Sequence, residues 1–174
     1  MQLPKRKQIR LKGYDYSSVG VYFITICTHK RRCILSHIVG AIHESPENKL
    51  TQCGKCAREI IDSISHRFNV EVDKYLIMPN HVHMLISVKD IERRAIHESP
   101  LQQRRSTVSK IVGYFKMNVS KRTQENEYGE KLWQRGYHDH IVRNKRDYEK
   151  IWNYIDTNEL KWELDCFYEK EFPR

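Results

Sequence analysis

No stretch of this sequence is apolar enough for long enough to cross a bilayer, which takes about 20 residues. The first ten residues, Met1 to Arg10, are basic, but no apolar segment of secretory type follows them. Cysteine is sparse, with five residues, an odd number lacking the spacing of a secreted framework. Reduced thiols and a cytoplasmic protein are the expectation. Two signatures are also missing: the basic-Gly-aromatic-Gly/Ala-Phe string of an RNA-recognition sheet, and any motif that reads duplex DNA. Acidic residues are outnumbered, 22 against 31 Lys and Arg, for a net charge of +9. The excess cations recur at Lys5 to Lys7, Lys30 to Arg32, Arg104-Arg105, Lys121-Arg122 and Arg143 to Arg146. Such a surface favours a polyanionic partner, and nucleic acid is the usual one.

With 174 residues, the chain suits one domain spanning 1–174 with its own core. The apolar pattern changes period along it. Val21 to Thr28 is rich in β-branched and aromatic residues and reads as a strand. From Thr51 to Phe68 the period is helical, with Cys53, Cys56, Ala57, Ile60, Ile64 and Phe68 on one face. Val70 to Met78 and His81 to Val88 read as strands joined tightly by Pro79-Asn80. Thr107 to Arg122 is helical again, with the stripe Val108, Ile111, Val112, Phe115 and Val119. Leu132 to Arg143 contains a strand. Asp147 then stands as N-cap of a last helix whose stripe is Tyr148, Ile151, Trp152 and Ile155. This order predicts an α+β, ferredoxin-like (βαββαβ) antiparallel sheet with helices on one face, an open second face, and a C-terminal helix.

One hexapeptide, AIHESP, occurs twice, at Ala41 to Pro46 and Ala95 to Pro100, each time in a connection before a helix. The flanks are unrelated, so the copies read as two surface-loop insertions rather than a fold repeat.

The chemistry concentrates around His81-Val82-His83. Residues two apart on a strand share a face, so the imidazoles project together while Val82, Met84, Ile86 and Val88 point into a core. Two imidazoles on a rigid strand form half of a divalent-metal site. Tyr154 and Asn158 stand one helical turn apart at the margin of the last helix's apolar stripe. Asn158 can offer its amide oxygen as a third ligand to Mg²⁺ or Mn²⁺. Tyr154 can offer its phenolic oxygen to a phosphodiester whose developing charge the cation neutralises. The product would be a 5′-phosphotyrosine and a free 3′-hydroxyl, with the bond energy kept for rejoining.

Five blocks resemble the single-tyrosine HUH transposases, and within them the REP-associated tyrosine transposases. They are RLKGYDY at Arg10 to Tyr16, YFITICT at Tyr22 to Thr28, MPNHVH at Met78 to His83, WQRGYHDHIVR at Trp133 to Arg143, and YIDTN at Tyr154 to Asn158. The resemblance implies that His81 and His83 bind metal, that Tyr154 is the nucleophile, and that Asn158 occupies the place of the amide-bearing third ligand. It also implies the substrate: single-stranded DNA in an imperfect hairpin with a short flanking tetranucleotide. A monomer or a homodimer is the expected form. Arg10, Lys12, Lys116, Arg135, His138, His140 and Arg143 are the expected DNA contacts. One departure is Glu159, which stands where the family often has proline and leaves a carboxylate beside the site.

Other features compete. Cys53-x-x-Cys56 invites zinc, with His43 or His66 as partners, but both thiols fall on the apolar stripe, where they pack as small hydrophobes. His138-Asp139-His140 is a second His-x-His, read as DNA contact or sheet support. Tyr114 is a weaker nucleophile candidate than Tyr154. The rival functions are an RNA-binding sheet of the RRM type, and a domesticated hairpin binder that no longer cuts.

Overall fold

The structure is a computed structural model describing residues 18–39, 47–89, 106–123 and 131–168. In chain order its strands are β1 (Gly20–Cys27), β2 (Ser36–Val39), β3 (Glu47–Leu50), β4 (Val70–Ile77), β5 (His81–Val88) and β6 (His138–Val142). Its helices are α1 (Gln52–Asp62), α2 (Ile64–Arg67), α3 (Thr107–Thr123) and α4 (Lys145–Thr157), followed by a 3-10 segment, Glu159–Leu164. Four strands form one antiparallel sheet in the order β4-β5-β1-β6. Apart from the β2–β3 pair, the expected ferredoxin-like order is present. No helix among the described residues is long and apolar enough to cross a membrane.

One face of the sheet carries the main core. Tyr22, Ile24 and Ile26 of β1 and Val82, Met84 and Ile86 of β5 alternate onto it. They meet Ala57, Ile60 and Ile61 of α1 and Ile111, Phe115 and Val119 of α3. Thr51 caps α1, its side chain accepting from the Gly54 N–H at 3.1 Å. The predicted helix Thr51 to Phe68 breaks at Ser63, whose N–H reaches back to the Glu59 and Ile61 carbonyls, and Phe68 is already extended. Cys53 and Cys56 are buried in this core and His66 is exposed, so the thiols serve packing. Burial pushes the Cys53 thiol up to about 11. All five cysteines are free thiols.

The second face is not open. α4 crosses it, burying Ile151 and Ile155 against Leu85, with Val21, Phe23, Leu76 and Val142 around them. Lys74 of β4 fixes this helix through an ion pair with Asp156 and a cation over the Trp152 ring at 4.0 Å. α4 starts earlier than predicted. Asn144 is its N-cap, accepting from the Asp147 N–H at 2.9 Å. Asp147 instead accepts from His140 and from the Arg143 N–H.

The hairpin β2–β3 was not predicted. It pairs Ser36 with Leu50 through Val39 with Glu47. The hexapeptide Ala41 to Pro46 falls in its connection. Both hexapeptides, with His43, lie outside the described residues, as do Arg10 and Lys12.

Candidate active site

β5 brings His81 and His83 onto the face that α4 covers, and both are fully buried. Their Nε2 atoms stand 2.9 Å apart. Each ring is held from behind. His81 Nδ1–H donates to Asn80 Oδ1 at 2.8 Å, while Asn80 Nδ2 donates to the Phe167 carbonyl at 2.7 Å. That bond leaves the Nε2 of a neutral His81 as a lone pair facing its neighbour. His83 Nδ1 is hydrogen-bonded to Thr25 Oγ1 at 2.9 Å, because the β1–β5 register sets Thr25 opposite His83. Phe23, one pleat along β1, stacks on His83 with centroids 5.1 Å apart.

Burial strips both imidazolium forms of water. It takes His81 from an ordinary 6.5 down to about 3, with the Arg31 cation adding to the effect. His83 is pushed well down as well, first by burial and then by His81. Near neutral pH both rings are therefore neutral, the form that ligates metals.

α4 supplies the remaining predicted members. The Tyr154 hydroxyl lies 3.4 Å from His83 Nε2, and its ring sits edge-on to Phe23. Tyr154 is 38% exposed, and its hydroxyl is held between His83 and Asp165. Asn158 is the C-cap of α4 and is deeply buried. Its Oδ1 is buried with no hydrogen-bond partner, while Nδ2 donates to Asp165 Oδ2 at 2.7 Å. The structure thus brings together His81, His83, Tyr154 and Asn158.

It adds Asp165, which sequence reasoning missed. Asp165 follows the 3-10 segment, and Tyr154 donates to its Oδ2 at 3.1 Å. One ligand atom each from His81, His83 and Asp165 lies within 4.8 Å of the others. Burial and this carboxylate raise the Tyr154 phenol above its usual range. Asp165 follows no period and no motif, so nothing in the sequence marked it. Thr25 and Asn80 were missed too, though both lie inside quoted blocks; strand register and the turn give them their work.

Other candidates fall elsewhere. Tyr114 is on α3, across the sheet, bonded to Ser63 and covered by Arg67. Lys116 spends its ammonium on the Gln134 and Gly136 carbonyls, at 2.7 and 2.5 Å. Burial takes its pKa down to about 8. Arg135, His138, His140 and Arg143 are exposed along β6 and its flanks. β6 pairs His138 with Thr25 and His140 with Phe23, so both histidines lie on the face of the histidine pair. Glu159 accepts from Asn48 Nδ2 at 2.8 Å, tying the end of α4 to β3. The surface on which an RRM sheet stacks bases is occupied here by α4 and the histidine pair.

The chain is 34% identical over 173 residues to an uncharacterized protein of Haemophilus influenzae, covering 94% of this chain and 93% of that relative. Its fold is similar to that of a REP-associated tyrosine transposase solved with a REP hairpin. There the TM-score is 0.59 at 17% identity, over 92% of this chain and 74% of that one. A family model described as "Transposase IS200 like" matches residues 16–158, a span from the first strand's approach to the C-cap asparagine. With that match running through the histidine pair and the helical tyrosine, the chain belongs to the IS200-like transposase family.

Proposed function

We propose that this transposase cleaves and rejoins single-stranded DNA at hairpin repeats through a tyrosine-linked intermediate, in the manner of REP-associated tyrosine transposases. The observation that carries this reading is the Tyr154 hydroxyl 3.4 Å from His83, whose Nε2 faces that of His81 at 2.9 Å. His81, His83 and Asn158 would hold the cation, Mg²⁺ or Mn²⁺. The donor set fits it: two neutral buried imidazoles with converging nitrogens, and a buried amide oxygen left without a partner. When bound, the cation neutralises charge on the scissile phosphate and eases ionisation of a nearby phenol.

The protein's own groups do the rest. Thr25 and Asn80 fix the two rings from behind. Phe23 positions the Tyr154 ring. Tyr154 Oη attacks phosphorus, its proton leaves, and the O3′–P bond breaks. The 5′-phosphate stays on tyrosine and a 3′-hydroxyl is released; attack by an incoming 3′-hydroxyl reverses the exchange. Arg135, His138, His140 and Arg143 line the approach as DNA contacts.

The test is a labelled hairpin with Mg²⁺ or Mn²⁺. Wild type should form a covalent adduct that mass spectrometry maps to Tyr154. Tyr154→Phe should bind the hairpin normally and give none. His81→Ala and His83→Ala should bind but not cut. A hairpin should be preferred to a blunt duplex. An adduct on another tyrosine would overturn the assignment of Tyr154, and cleavage with no labelled tyrosine would overturn the strand-transfer chemistry.

A further inference from the structure

We propose that Asp165 is an anionic ligand of the cation, completing a set with His81, His83 and Asn158; this rests on the cation site proposed above. A pair of imidazoles and an amide are all neutral, and hard divalent cations favour sites that include a carboxylate. Asp165 is where such a charge is found. Its carboxylate shares a 4.8 Å cluster with both histidines. It is also held in place. Oδ2 accepts from Tyr154 at 3.1 Å and Asn158 Nδ2 at 2.7 Å, and Oδ1 accepts from the Phe167 N–H at 2.7 Å. A carboxylate has about four lone-pair positions; these three bonds take three, and the fourth neighbour, the Cys166 thiol, is a weak donor that a metal displaces.

The Asn158 amide is the second observation. Its Nδ2 points at Asp165, and its other end, Oδ1, is the buried oxygen without a partner. Bidding for one cation with that oxygen while gripping Asp165 with the nitrogen would use both ends of the amide. The segment after the 3-10 turn is also packed for the purpose. The Phe167 ring lies 4.7 Å from the His81 ring, and Arg31 lies over Phe167 and donates to the Cys166 carbonyl at 3.2 Å. The site therefore reaches beyond the tyrosine helix into the chain that follows it.

Mn²⁺ binding to the full chain, followed by the electron paramagnetic resonance of free Mn²⁺, tests this without any DNA. Asp165→Asn should weaken binding by roughly tenfold or more. The same change made in an Asn158→Ala background separates the two roles Asp165 could have. A loss of similar size in that background supports direct ligation. No further loss there means that Asp165 acts through Asn158, and overturns the proposal, as does wild-type affinity in Asp165→Asn. If His81→Ala and His83→Ala also bind like wild type, the cation site itself falls. If they lose binding while Asp165→Asn keeps it, only the ligand assignment falls. Should the aspartate variants fail to fold, wild type labelled with ¹³C at aspartate carboxyls gives the answer. Selective broadening of Asp165 by Mn²⁺ is expected, and an Asp165 signal no broader than that of Asp147 would overturn the proposal.

Discussion

His81 and His83 show how a buried titratable residue can weigh on the fold. His81 is held at about 3 against an ordinary 6.5 because burial disfavours imidazolium and Arg31 adds to it. Between those values the unfolded chain binds a proton that the folded chain refuses. This contribution to stability is therefore present in full above about 6.5 and is lost as pH falls toward about 3. In chelator, the thermal midpoint should drop across that window, and His81→Gln should flatten the drop. A wild-type midpoint that holds steady through the window would contradict the burial argument. The two-residue spacing made the shared face of these histidines legible in the sequence, and the turn spacing did the same for Tyr154 and Asn158. Their burial was not legible, because it depends on which helix lies over the sheet. Asp165 was invisible for a related reason: it lies in irregular chain, where no periodicity ties position to direction.

Among the elements, α1 shows how closely the fold is drawn together. A Cβ placed on Gly54 would collide with the Leu35 carbonyl, a backbone atom that cannot swing aside. Gly54→Ala should destabilise the protein by about 1–3 kcal/mol, read from urea unfolding, even though alanine is the better helix former. A neutral or stabilising result would mean that the chain around Leu35 yields more easily than its packing implies. The long elements were legible because their apolar stripes repeat over several turns or pleats: α3 through Val108 to Val119, β5 through Val82 to Val88. The β2–β3 hairpin was not, since strands of four residues such as Glu47–Leu50, mostly polar, offer no alternation to detect. Ser63 ends α1 by a local carbonyl bond, Ser63 Oγ to Ile60 at 2.7 Å, which the stripe through Ile64 concealed. Glu159 was noticed as a departure, yet its role emerged only with Asn48 beside it.

For the whole molecule, the net charge of +9 becomes a statement about binding. Each Lys or Arg on a phosphate releases counterions, so hairpin affinity should fall linearly with salt on logarithmic axes. Arg143→Ala should weaken binding to all hairpins alike and lower the slope by about 0.7–0.9. An unchanged slope in a gel-shift series would remove Arg143 from the DNA-facing surface. Lys116→Ala should leave the slope alone, because its ammonium is engaged by the Gln134 and Gly136 carbonyls. The 3.4 Å contact between Tyr154 and His83 joins two parts of one polypeptide. An enzyme that must borrow its nucleophile from a second copy works at a rate that climbs with the square of a scarce protein. If Tyr154 acts as proposed, a lone molecule meeting a folded strand carries both halves of the apparatus, and turnover should rise in simple proportion to dose.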